Sequence, residues 1–151
     1  MEIVKGLYLG DRFSVDDTIT DFVINCTLDL PFREGLDEKC MMRIALEDLP
    51  EENDLMFSHF PSAVDTISRC LAEGKSVLVH CFMGRQRSAA VVAAYIMKRY
   101  KATAIEAVNF VKCKKRDAFF GHVTFETALQ QWDGFSKISP SGSGQRGLRP
   151  A

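Results

Sequence analysis

A chain of 151 residues that is 46% apolar is long enough to bury one substantial core and too short for two. Its 19 basic and 20 acidic residues leave a formal charge of -1, so no overall field draws it to nucleic acid or to a membrane surface, and neither partner is expected. No apolar run approaches the roughly 20 residues that span a bilayer, and residues 1–6 lack the basic and apolar regions of a secretory leader. The expectation is a soluble protein of the cytoplasm, with the nucleus also open to it.

The five cysteines, Cys26, Cys40, Cys70, Cys81 and Cys113, are odd in number and irregular in spacing. They form neither a disulfide framework nor a metal-binding pair, and free thiols in a reducing compartment fit best. His59 and His122 have no cysteine or carboxylate at ligand spacing, so no metal and no cofactor are expected.

In chain order, short runs rich in aliphatic and β-branched residues at 7–10 and 22–26 predict strands. A further apolar run at 41–46 gives way to an acidic, Pro-containing loop over 47–54. From 55 to 71, Met56, Phe60, Ala63, Val64, Ile67 and Leu71 recur at helical spacing, and Gly74 supplies a stop. Residues 76–79 predict a buried strand, followed by a tight loop from Cys81 to Arg87 and a buried helix from Ser88. Two more helical patterns cover about 102–114, with Ile105, Val108 and Val111 on one face, and 124–132, with Phe125, Ala128, Leu129 and Trp132. The Ser/Gly/Pro-rich residues 139–151 predict a disordered tail, leaving one domain over 1–138. Strands interspersed with helices predict an α/β fold, a central and largely parallel sheet flanked by helices.

The strand-loop-helix segment carries the chemistry. A loop that enters a helix aims backbone N–H groups at one point, where the helix dipole adds positive field. Here Cys81 opens the loop, Phe82, Met83, Gly84, Arg85 and Gln86 supply its N–H groups, and Arg87 and Ser88 follow. Groups that hold a phosphate dianion also stabilise a thiolate, which makes Cys81 a nucleophile. Arg87 is suited to grip two phosphate oxygens through its planar fork, and the Ser88 hydroxyl to hydrogen-bond the sulfur.

Cys, five residues, then Arg and a hydroxyl residue is the signature of the protein tyrosine phosphatase superfamily. The chain resembles the dual-specificity protein phosphatases in particular, through residues 4–10, 23–26, 77–81 and 94–97 as well as the loop. That resemblance implies hydrolysis of phosphotyrosine and phosphoserine or phosphothreonine on a phosphorylated protein, through a phosphocysteine intermediate. It also implies an Asp general acid ahead of the catalytic helix-strand unit. Asp48 matches by context, with Asp54 as the second choice. His80 carries over as a supporting residue that orients the loop. Cys26 stands where some relatives hold a second cysteine that forms a reversible disulfide with the nucleophile, although a plain core cysteine also fits. Arg85 departs from the small or apolar residue common in the family. It points either to extra phosphate charge, as in lipid phosphatases, or to a surface side chain. A phosphoinositide substrate, an RNA 5′-phosphatase and a silent phosphate-binding module are the alternative functions. The basic run of residues 112–116 reads most simply as complementing a helix dipole.

Overall fold

The computed structural model describes residues 1–138, and the expected disordered tail over 139–151 lies outside the described residues. Five strands form one sheet in the order β1-β2-β5-β3-β4: β1 Glu2–Val4, β2 Leu7–Gly10, β3 Phe22–Asn25, β4 Met41–Arg43 and β5 Val77–His80. Only β1 runs antiparallel to its neighbour. The other three pairings are parallel, so the sheet is the largely parallel one expected. Four consecutive buried residues make up β5, the signature of a strand covered on both faces.

The helices are α1 Ser14–Asp17, α2 Asn53–Ala72, α3 Arg87–Tyr100, α4 Ala104–Lys114 and α5 Glu126–Ile138. Helix α3 is the hub, packed against α2, α4, α5 and the sheet, with every residue from Ser88 to Met97 buried. Its alanines at 89, 90, 93 and 94 explain this, because small side chains let neighbouring backbones approach from all sides. Trp132 of α5 lies against this helix and donates its Nε1–H to Ala94 O at 3.0 Å, which satisfies the indole in a buried setting. A capping box, Thr103 with Glu106, starts α4, saturating backbone donors that would otherwise be orphaned.

Several elements differ from the sequence reading. The apolar run at 41–46 pairs as a strand only to Arg43; Ile44 and Leu46 continue into the core at 0% exposure, so burial there outlasts the sheet. Strand β1 and helix α1 are three and four residues long, too short to show any periodicity. Helix α5 runs six residues past the expected end at 132, because Phe135 stacks on Trp132 and extends the apolar face.

The architecture fixes where a ligand can sit. The parallel strands β2, β5 and β3 end side by side, with His80 level with Gly10 and Asn25. Loops leaving the carboxyl ends of such a sheet form its binding crevice.

Candidate active site

The loop of residues 81–86 leaves the centre of that crevice and enters α3, whose first residue is Arg87. The Cys81 thiol is 2% exposed. Gly84 N–H donates to its Sγ at 3.2 Å, and the Ser88 hydroxyl lies 3.1 Å from the same sulfur. Both groups stabilise negative charge on sulfur, with the N-terminal end of α3 adding to the field. Gly84 has φ +71°, and a Cβ there would sit 2.7 Å from Gly10 O. Backbone strain and collision together restrict that position to glycine.

Arg87 turns its guanidinium toward the β4–α2 loop, where Nη1 donates to Leu46 O at 3.1 Å. Its Nε is buried without a partner among the described residues, a donor left for an anion. Asp48 lies two residues beyond Leu46. Cys81, Asp48, Met83, Arg85, Gln86 and Arg87 all line one cavity of ≈ 460 Å³. Asp54 is in the first turn of α2 and does not line it. Phe82 faces a neighbouring cavity instead.

Contacts that the sequence did not reveal hold the loop in shape. Arg12, after β2, accepts no role in the motif, yet its backbone N–H and its Nη1 both donate to Phe82 O at 3.1 Å. Its guanidinium lies over the rings of both Phe13 and Phe82, at 4.5 and 4.2 Å from their centroids, a cation–π arrangement. Lys115 reaches back from beyond α4 to donate to Gly84 O at 3.1 Å and pairs with Asp117. Lys112 and Lys114 of the basic run stand in the last turn of α4, where they complement its dipole, and Lys115, one residue past the helix end, serves the loop instead.

The segment after Lys115 closes the far wall. Phe119, buried and with φ +56°, donates its N–H to Arg85 O at 2.8 Å. Such a φ is strained for a bulky side chain, and burial with that hydrogen bond holds it. The Gln86 side chain donates to His122 O and accepts from Thr124 N–H, which ties the loop to this segment. Arg85 pairs with Asp117 at 3.5 Å, favouring the surface-side-chain reading of that departure from the family. Burial pushes the Asp117 carboxyl up, but the Lys115 ammonium, helped by Arg85, overrides it and holds the group below its usual value. His122 and Phe120 line the cavity from this segment.

Cys26 follows β3, its N–H bonded to His80 O at 2.8 Å, which puts it beside Cys81 across adjacent strands. Burial pushes its thiol far up, the nearby Cys81 adds to this, and Arg87 opposes it.

His80 is 0% exposed, and burial holds its imidazole below the ordinary value of 6.5. Below that value the unfolded chain binds a proton that the folded chain resists. Stability from this group is therefore complete above about pH 6.5 and is lost as the pH falls toward the depressed folded value. Every tenfold difference in proton affinity between the two states is worth about 1.4 kcal/mol. Half-buried His59 is lowered by burial in the same direction, so the difference between proteins isolates His80. Urea denaturation of wild type and His80→Asn across pH 5 to 8 should show a shallower acid-side fall in the variant; equal slopes would remove this role from His80.

Comparison with known proteins agrees with the geometry. Residues 11–134 match the dual specificity phosphatase, catalytic domain. Dual specificity protein phosphatase MPK-4 of Drosophila melanogaster is 36% identical over 76% of this chain, which spans 31% of that protein's length. The 123R protein of Invertebrate iridescent virus 6 is 41% identical over 87% of this chain and 90% of its own. Among solved structures, human DUSP28 superimposes with a TM-score of 0.77 at 23% identity, covering 90% of this chain and 93% of that one. The match covers most of the described chain and includes the loop that binds the thiol, and on that basis the chain belongs to the dual specificity phosphatase catalytic-domain family.

Proposed function

We propose that the chain is a protein phosphatase that removes phosphate from tyrosine and from serine or threonine through a phosphocysteine intermediate. The observation that carries this is the Cys81 sulfur, held between Gly84 N–H and the Ser88 hydroxyl in one cavity with Arg87 and Asp48. Family membership supports it.

The steps follow from the groups present. Arg87 and the N–H groups of residues 82–86 bind the phosphate dianion. The Cys81 thiolate attacks phosphorus, forming the S–P bond as the P–O bond to the substrate breaks. Asp48 gives its proton to the departing oxygen, because an alkoxide leaves poorly. Water then attacks phosphorus with Asp48 as base, and inorganic phosphate leaves as the S–P electron pair returns to sulfur. The Ser88 hydroxyl hydrogen-bonds that returning thiolate. Such chemistry needs a reduced thiol, as in the cytoplasm. When a peroxide oxidises Cys81 to a sulfenic acid, Cys26 is the adjacent thiol that can condense with it, releasing water and forming a reversible disulfide.

Asp48→Asn tests the acid assignment. It should lower kcat on phosphotyrosine and phosphothreonine peptides by about 10²- to 10⁴-fold. The loss should be much smaller on para-nitrophenyl phosphate, whose leaving group needs little protonation. Equal losses on both substrates, or a larger loss from Asp54→Asn, would move the role away from Asp48.

A further inference from the structure

A second cavity, of ≈ 340 Å³, adjoins the phosphate cavity and shares Asp48 and Arg87 with it. Apolar side chains of Leu28, Leu30, Leu49 and Phe82 alternate in its wall with the carboxylates of Asp29 and Glu47. Leu28, Leu49 and Phe82 are 52%, 43% and 44% exposed, a concentration of apolar surface in water at the mouth of a charged site. Neither Asp29 nor Glu47 has an ion-pair partner among the described residues.

The cavity is preformed. Asn25 Oδ1 accepts from Thr27 N–H at 3.1 Å and from Thr27 Oγ1 at 2.6 Å, while Asn25 Nδ2 donates to Leu30 O at 2.8 Å. Arg43 bridges the same turn, donating to Thr27 O at 2.9 Å and Leu30 O at 2.7 Å. The turn that presents Leu28 and Asp29 is thus fixed before any ligand arrives, and filling it costs little ordering. Phosphoryl transfer itself uses neither Asp29 nor Glu47 nor the turn of residues 27–30.

We propose that this cavity is a specificity subsite for a lysine or arginine side chain of the substrate, one or two positions from the phosphorylated residue. The inference rests on the phosphatase reading and deepens it. A long cationic side chain matches both halves of the lining, its aliphatic stem along Leu28, Leu49 and Phe82 and its head at Asp29 and Glu47. An aliphatic residue would desolvate the two carboxylates without compensation. An acidic residue would face them and Asp48 together, against one cation, Arg87, whose guanidinium is engaged by Leu46 O and by the phosphate. Extended peptide residues are spaced about 3.5 Å apart, so a near neighbour of the phosphoresidue reaches a cavity that shares a wall with the phosphate's own.

Matched phosphotyrosine peptides with Arg, Leu or Glu at the flanking positions, first on one side and then on the other, test this with para-nitrophenyl phosphate as reference. On one side, wild type should prefer Arg over Glu by about tenfold in kcat/KM, the order expected for two partly exposed ion pairs gained against repulsion. The Asp29→Asn, Glu47→Gln double variant should cut that preference to about twofold or less, with para-nitrophenyl phosphate hydrolysis unchanged because it carries no flanking residue. Equal rates for Arg and Glu peptides, a Leu peptide outrunning both, or a preference that survives in the double variant overturns the subsite while leaving the phosphatase reading intact. A wild type inert toward para-nitrophenyl phosphate and every peptide overturns both.

Discussion

Arg87→Lys should lower kcat on any phosphomonoester by about 10³-fold, close to the effect of Arg87→Ala, although the charge is kept. One guanidinium does two geometrically distinct jobs. Its Nη1 holds Leu46 O at 3.1 Å, and its remaining donors are left for phosphate oxygens. Since Leu46 stands two residues before Asp48, the same side chain ties the proposed phosphate clamp to the loop that presents the proposed general acid. An ammonium group is a point charge on a flexible stem and cannot hold both directions in one plane. Losing an oriented donor to a transition-state oxyanion typically costs 10² to 10³ in rate, and losing a transition-state arginine costs 10³ to 10⁵. The estimate of about 10³ corresponds to about 4 kcal/mol. The loss should fall on kcat more than on KM; a change confined to KM would mean that Arg87 binds ground state and transition state alike.

Cys81→Ser should remove turnover almost completely, by about 10⁴-fold or more, while leaving phosphopeptide binding within about threefold. A serine hydroxyl is a weak nucleophile unless a base takes its proton, and none is free to do so in the first step: Asp48 must keep its proton for the leaving oxygen, and His80 is buried behind the loop at 0% exposure. Binding is a separate matter, because Gly84 N–H, Arg87 and the end of α3 all persist. Steady-state kinetics and calorimetry on the same protein check both halves. Substantial residual turnover would mean that the phosphoryl group does not pass through Cys81.

The fold and the centre of the site were readable because their signals are local. Three apolar residues in a row, a Gly-containing loop and an alanine-rich helix follow one another in the chain, and the chemistry sits in the same stretch. Short aliphatic and β-branched runs mark β2, β3 and β4 in the same way, while β1, three residues long, gives no such signal. What escaped were contacts between residues distant in sequence. Arg12 is 70 residues from Phe82, and Lys115 is 31 residues from Gly84; a basic side chain before α1 or after α4 carries no mark of its eventual partner. Gln86 does more than its place in the loop suggests, since its side chain fastens the segment of His122 and Thr124. The subsite beside Asp48 was equally hidden. It depends on Arg43 reaching across to the turn of residues 27–30, a pairing that only the β3–β4 register creates.

Covalent capture tests the central claim most directly. Wild type mixed with excess phosphotyrosine peptide, denatured within milliseconds near neutral pH and digested, should yield the Cys81 peptide carrying one phosphoryl group in a fraction that is lost on acid treatment, survives mild base and is absent from Cys81→Ser. Rapid turnover with no phosphoryl group on Cys81 at any quench time, or one found on another residue, would contradict the account.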